Sequence, residues 1–360
     1  AIVPKDERHL EKVIRCCLDE RYPMAVRDRA PGLSITNKSL IAVPVLAGSA
    51  PTAEWINPPT SGDPTQWLFH GHPAAADAGT QLHVALSRLA GFRWPAELDP
   101  QIPISDEARA WISKTQALPS PDADGLLTLP AAGGDRSLAD RLRDFLAACF
   151  AGVWSEALER QLVAEADALI DKRAARDASL EAWLCDRAFR QHCKLFHDRP
   201  FLWQVWDGQK DGFSAFLHYH RLDHGALQKL TYTVLGDWIA RRKAEGDDRR
   251  VEAASILQSK LAAILEGEAP YDIFVRWKSL ARQPLGWDPD LDDGVRLNIR
   301  PWVQTGILRE NPRINWGTDR GTEPTSAPWY DLFHGKRNND HHTTLAEKRA
   351  ARAAKSATAA

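Results

Sequence analysis

The 360-residue chain is poor in sulfur: it has one methionine, Met24, and five cysteines, two of them adjacent at Cys16 and Cys17. So few thiols do not make a disulfide framework, and a reducing, cytoplasmic setting is the expectation. No stretch approaches the roughly 18 consecutive apolar residues of a membrane span, so no membrane partner is expected. Net charge is missing too: 46 Lys plus Arg stand against 48 Asp plus Glu, a formal charge of -2. That balance removes any global attraction to nucleic acid or anionic lipid and leaves local patches to supply it. The hydrophobic share of 44% and charged share of 26% describe a globular chain able to bury a sizeable core. The opening AIVPKDERHLEK has neither an initiator methionine nor the regions of a signal peptide. A portion of a longer protein is the expectation.

Chemical motifs are equally scarce. There is no Gly-x-Ser-x-Gly elbow and no cysteine in a protease-like context. A glycine-rich cofactor loop of the Asp/Glu-x-Gly-x-Gly kind is absent, and Ala132-Gly133-Gly134-Asp135, following Pro130, reads as a turn. Asn57-Pro58-Pro59-Thr60 approximates the Asn-Pro-Pro-aromatic motif of amino-methylating enzymes, but threonine replaces the aromatic that would stack on a flipped base. No apolar strand ending in an acid precedes it. No catalytic and no cofactor-binding residue is therefore assigned, and the chain alone is expected to be inactive. His218, His220 and His224 place only one pair at helical ligand spacing, and no acid or thiol completes the set. Cys185, Cys193 and His197 share a segment with Trp183, Leu184, Phe189 and Phe196, so buried thiols are the reading. His70 and His72 flank a glycine in a turn. No metal site is expected.

What is present is mostly helical signal, and the fold class expected is α+β, predominantly α-helical. Leu10, Val13, Ile14, Cys17 and Leu18 form an amphipathic stripe over Asp6–Arg21 bounded by Pro4 and Pro23. The run LSITNKSLIAVPV, 33–45, reads as one or two short strands. Residues 46–135 read as an irregular connector with short helices, one from Ala78 to Leu89. Ser137, Ser155 and Ser179 each mark a helix start in a helical domain over 136–268, followed by long helices at Ala226–Ala244 and Asp248–Glu266 split by a turn at EGDD. Residues 269–321 are aromatic and turn-rich, with short strands expected at Ile273–Trp277 and Val295–Ile299. Residues 322–360 read as a polar, flexible tail.

Local charge is modest. Residues 1–45 carry eight Lys and Arg against six acids, and Lys336–Lys355 six against two. Within Pro270–Trp302, five basic residues meet five acids, so Arg276, Lys278, Arg296 and Arg300 read first as partners of Asp272, Asp288, Asp290, Asp292 or Asp293. The aromatics there, Tyr271, Phe274, Trp277, Trp287 and Trp302, read as core before they read as a base-stacking platform.

Several strings resemble the very large adenine-specific DNA methyltransferases of bacterial phage-defence and restriction-modification systems, including BREX-type and DISARM-type islands and single-chain restriction relatives. They are VPKDERHLEKV with LSITNKSLIAVPV, DPTQWLFHGHP, RPFLWQVWDGQKDGFSAFLHYHRLD, LTYTVLGDWI, ILEGEAPYDIFVRWKSLARQPLGWDPDLDDGVRLNIRPW, INWGTDRG and NNDHHTTLAEKRAAR. The likeness implies a C-terminal portion lying after the methyltransferase domain, with residues 1–45 as the end of the target-recognition region. It implies double-stranded DNA and the upstream methyltransferase domain as partners, other defence-system subunits as further ones, and S-adenosylmethionine as a cofactor of the parent enzyme only. The expected DNA contacts are Lys5, Arg8, Asn37 and Lys38 first, then Arg276, Lys278, Arg296, Asn298 and Arg300. The competing expectation is a protein-interaction module, rich in tryptophan, that docks on other subunits without touching DNA.

Overall fold

A computed structural model describes residues 13, 16–17, 19, 21–29, 40, 43, 71–100, 106–169, 179–268, 272–275, 278–314 and 343–359. The expected strands at 33–45, the Asn57-Pro58-Pro59-Thr60 tetrapeptide and most of the Asp6–Arg21 helix lie outside these residues. Contacts divide the chain into a unit of residues 1–59 with 101–107, and a larger unit of 60–100 with 108–360.

In the smaller unit, helix α1 (Arg21–Arg29) buries Tyr22 and Val26 with Cys16 and Val43. The Tyr22 hydroxyl donates to the Leu40 carbonyl at 2.8 Å. Pro23 belongs to the first turn of this helix rather than to the end of the preceding one, a correction that follows from proline being tolerated where backbone N–H groups have no helical acceptor.

The larger unit is mostly helical and carries a small antiparallel sheet, so the class is α+β, predominantly helical. Its elements run α2 (Gln81–Leu89), α3 (Pro95–Leu98), α4 (Asp106–Gln116, of which Asp106 and Glu107 belong to the smaller unit), β1 (Leu126–Thr128), α5 (Leu138–Cys149), α6 (Glu156–Ala168), α7 (Leu180–Asp186), α8 (Ala188–Leu195), β2 (Leu202–Trp206) and β3 (Ser214–His218). They continue with α9 (His224–Gln228), a π-helical turn at Lys229–Val234, α10 (Leu235–Ala244), α11 (Asp248–Glu266), α12 (Val295–Asn298), α13 (Arg300–Thr305) and α14 (Leu345–Ala359).

The three expected serine caps are in place. Ser137, Ser155 and Ser179 accept from the backbone N–H of Asp140, Leu158 and Ala182 at 3.3, 3.2 and 3.2 Å, each satisfying one orphan donor of a first turn. At EGDD, Gly246 takes φ +74 and Asp247 caps α11 through Arg250 N at 3.1 Å. Helix α11 ends at Gly267, φ +76, where a Cβ would meet the Leu285 carbonyl oxygen at 2.3 Å.

The sheet was not expected where it lies. Its order is β1-β3-β2, with Leu127 opposite Phe216 and Gln204 opposite the same Phe216. LWQVW and SAFLH are almost wholly buried, so they lack the polar alternation that marks a half-exposed strand. The two strands expected further on are corrected: Ile273–Val275 has no regular structure, and Val295–Asn298 is helical. Gly294 N-caps that turn and Pro301 opens the next helix, so local caps outweigh the β-branched run. The short helix expected at Ala78–Leu89 is present as α2, and α2 and β1 contribute Leu82, Leu86, Leu126 and Leu127 to the main core.

Trp203, Trp287 and Trp302 pack edge to face at the centre of that core, with Trp203 to Trp302 centroids 5.4 Å apart and Trp287 to Trp302 5.3 Å. Trp203 also stacks on Tyr219 at 5.0 Å. The indoles of Trp203 and Trp287 donate to the carbonyls of Pro200 and Leu222 at 2.8 and 2.7 Å, so their burial leaves no polar cost there.

Candidate nucleic-acid interface

Of the tail, residues 343–359 are described and carry helix α14, while 322–342 lie outside the described residues. Thr344 and Glu347 form a reciprocal cap at the start of α14: Thr344 N and Oγ1 both donate to Glu347 Oε2 at 2.8 Å, and Glu347 N donates back to Thr344 Oγ1 at 3.2 Å. Lys348 is fully buried, and its ammonium donates to the Ile273 carbonyl at 2.7 Å. Burial pulls that ammonium below its ordinary value, and the neighbouring Asp272 carboxylate pulls it back. Asp272 in turn accepts from Thr343 N at 3.2 Å.

Beneath α14 the aromatic, turn-rich segment is held by one buried amide. Gln283 Oε1 accepts from Val275 N at 2.8 Å, and its Nε2 donates to Val275 O at 2.8 Å and to Lys278 O. This reciprocal pair does for one residue what a sheet partner would do. The single 3-10 turn Leu280–Arg282 packs against α14, and Arg352 Nη2 donates to the Gln283 carbonyl at 2.6 Å.

The result is a basic strip. Lys278, two residues before the turn, and Arg282 within it join Arg349, Arg352 and Lys355 of α14, with Lys348 buried beneath them, and Glu347 is the one acid of 278–283 and 345–359. At about 100° per residue the four helical cations fall within about 120° of arc, on the side that meets the turn, while Glu347 lies opposite. Arg282, Arg349, Arg352 and Lys355 are exposed and Lys278 is half-buried.

The residues expected to contact DNA are placed as follows. Lys5, Arg8, Asn37, Lys38 and Arg276 lie outside the described residues. Lys278 belongs to the strip. Arg296, on α12, and Arg300, at the start of α13, are half-buried. Burial draws the Arg300 guanidinium below its ordinary value, against the opposing pull of Asp272. Asn298 is a correction: it is fully buried, and its Nδ2 donates to the Tyr219 hydroxyl at 2.7 Å and to the Asp290 carbonyl at 2.8 Å. It organises the core around Tyr219 and Asp290. Arg349, Arg352 and Lys355 belong to the charge excess of Lys336–Lys355 and Arg282 to the five basic residues of Pro270–Trp302, and none of the four is among the expected DNA contacts; the helical spacing of 348, 349, 352 and 355 is the available signal.

Trp287 and Trp302 are likewise core residues with no exposed face for a base. His83, His192 and His218 are buried polar links. His83 Nε2 and Trp183 Nε1 both donate to Gln191 Oε1, at 2.9 and 2.8 Å; His192 Nε2 accepts from Leu202 N at 3.1 Å; His218 Nδ1 donates to Ala90 O at 3.0 Å. His220 reaches His218 at 3.4 Å, while His224 opens α9. Among the described residues no cluster of three or more histidines, cysteines or acids could hold a metal ion. Cys149 and Cys193 are buried, and burial pushes the Cys149 thiol up to about 12. A cavity of about 190 Å3 beside the β2–β3 hairpin includes Trp206 and Arg309, but that guanidinium already stacks 4.0 Å over Trp206 and bonds Asp186 at 2.7 Å. Among the described residues no helix is long and apolar enough to cross a membrane.

No protein-family profile matches the chain, and no curated protein matches it.

Proposed function

We propose that this chain is the C-terminal DNA-recognition and scaffold portion of a site-specific DNA adenine-N6 methyltransferase of a restriction-modification or phage-defence system. Two supports carry the reading. The sequence strings resemble that family along most of their length, and the strip of Lys278, Arg282, Arg349, Arg352 and Lys355 is a local positive surface on a chain with no net positive charge. The strip is the observation that carries DNA contact.

In the parent enzyme, an adenine would be turned out of the duplex and its N6 amine methylated from S-adenosylmethionine, with the catalytic and cofactor residues supplied upstream. This portion would hold the duplex in register. Phosphate contacts position a protein on DNA, and base-edge contacts, for which Asn37 and Lys38 stand as candidates, specify sequence. The rival reading, a module that docks other subunits through tryptophan, is weakened because Trp183, Trp203, Trp287 and Trp302 are fully buried.

Fluorescence anisotropy of the chain on a labelled duplex, titrated with salt, tests DNA contact. Affinity that falls steeply and log-linearly with salt supports it, and absence of salt-sensitive binding at low ionic strength overturns it. The family assignment has its own test: the reading frame encoding this chain should also encode an Asp/Glu-x-Gly-x-Gly loop and an Asn-Pro-Pro-aromatic motif. A frame without both removes the methyltransferase assignment and leaves the DNA-binding result standing.

A further inference from the structure

We infer that the strip of Arg282, Arg349, Arg352 and Lys355 grips the phosphodiester backbone of double-stranded DNA without reading its sequence, an inference that rests on the DNA-binding reading above. Three features of the strip carry it.

The first is what the strip offers to a base edge. Bidentate recognition of adenine uses an asparagine or glutamine amide. The one amide here, Gln283, is buried and spends both ends on Val275 and Lys278. Ser356 directs its hydroxyl back to the Arg352 carbonyl at 3.1 Å. Cations are what remain; an arginine can also read guanine bidentately, but Arg352 already spends Nη2 on the Gln283 carbonyl, and phosphate takes half or more of the hydrogen bonds that proteins make to DNA.

The second is the absence of aromatics. Neither KSLARQ, 278–283, nor LAEKRAARAAKSATA, 345–359, contains a ring on which an unpaired base could stack. Binding to single strands depends on such platforms, so a duplex is the better ligand. Spacing agrees with that choice. From Arg349 to Lys355 the helix rises about 9 Å, a length of duplex that carries about five phosphate charges.

The third is preorganisation. Lys348 and Arg352 tie α14 to Ile273 and Gln283 before any ligand arrives, so the helix itself need not be ordered on binding. Arg349 and Lys355, on the flanks of this seam, are left exposed.

The experiment measures log K against log salt for the chain and for the double variants R349A/K355A and R349K/K355R, on two duplexes of equal length and unrelated sequence and on a single strand. Circular dichroism checks that each variant keeps its helix content. The inference expects the salt slope of R349A/K355A to be shallower by about 2 on both duplexes, with the charge-conserving variant restoring it. The affinity advantage of the unmodified chain then shrinks about 12-fold between about 50 and 200 mM salt. A slope unchanged in R349A/K355A, in a chain that binds duplex salt-sensitively, overturns the strip as the contact and leaves the broader reading in place. A loss confined to one duplex sequence overturns backbone-only contact, and tighter binding to the single strand overturns the choice of duplex. If the unmodified chain shows no salt-sensitive binding, the broader reading itself fails.

Discussion

Lys348 and Ile273 are joined by a 2.7 Å hydrogen bond from a fully buried ammonium to a backbone carbonyl 75 residues earlier. A charge buried against a carbonyl is held by geometry and by the nearby Asp272, since its aliphatic stem fills the seam while the head finds an acceptor. Truncating it removes both parts. Lys348→Ala is expected to cost about 1 to 3 kcal/mol and to undock α14, whereas Lys348→Met, which keeps the stem, costs less. Hydrogen exchange checks this: faster exchange at 345–359 and 272–275 in K348A is the expected outcome, and protection equal to the parent chain would falsify the anchor.

Asn298 distinguishes a structural amide from a DNA contact. Asn298→Ala strips the Tyr219 hydroxyl and the Asp290 carbonyl of a partner inside the core, at a cost of about 1 to 3 kcal/mol. Chemical denaturation should show that loss while the salt slope of duplex binding stays unchanged. A native-like midpoint with a shallower slope would reverse the assignment.

The buried histidines set an acid limit. Burial holds His83 down at about 4 and His218 at about 3, and His192 well below its ordinary 6.5. Because the folded values lie below the unfolded ones, the unfolded chain binds more protons as pH falls. The stability from neutral imidazoles is complete above about pH 6.5 and is lost progressively toward pH 4, at about 1.4 kcal/mol per pH unit for each fully titrating histidine. Denaturant midpoints at pH 7, 6 and 5 should fall accordingly. A midpoint level between pH 6.5 and 5 contradicts the argument.

Arg88 and Glu97 form a pair at 2.6 Å whose side chains are 2% and 4% exposed, with the guanidinium 5.5 Å from the Trp94 ring centre. Removing one partner strands the other in the core, with only the part-exposed Arg93, 3.9 Å from Glu97, as a weaker partner, so Arg88→Met or Glu97→Leu should each cost about 3 to 5 kcal/mol. The double variant R88M/E97L should be less damaged than the sum of the singles, because no charge is stranded. Additive losses in a double-mutant cycle would refute the coupling.

Helices with local punctuation were legible. A serine before an apolar-periodic run announces its own helix start, because the cap bond spans three residues and needs no distant partner. The sheet was not legible for the opposite reason. β2 and β3 are short, mostly apolar runs that hold the buried polar residues Gln204, Ser214 and His218 and fit a buried helix segment equally well, and β1 has three residues. Only their mutual pairing, with Leu217 opposite both Leu126 and Trp203, makes them strands. The same gap explains the strip. Lys348, Arg349, Arg352 and Lys355 could be counted from the sequence, but the burial of Lys348 and the arrival of Arg282 beside them depend on a contact across some seventy residues.

The sequence by itself determined a helical chain of near-zero net charge, with few thiols, with its Ser-capped and Gly-terminated helices, and without a recognisable catalytic motif. Tertiary structure alone decided which charges share a surface and which polar groups are spent indoors. Helix periodicity and capping act over a few residues, whereas burial and hydrogen bonding are settled by whatever the folded chain brings alongside. Asn298 and Lys278 were equal candidates in the sequence, and packing sent one into the core and the other to the strip.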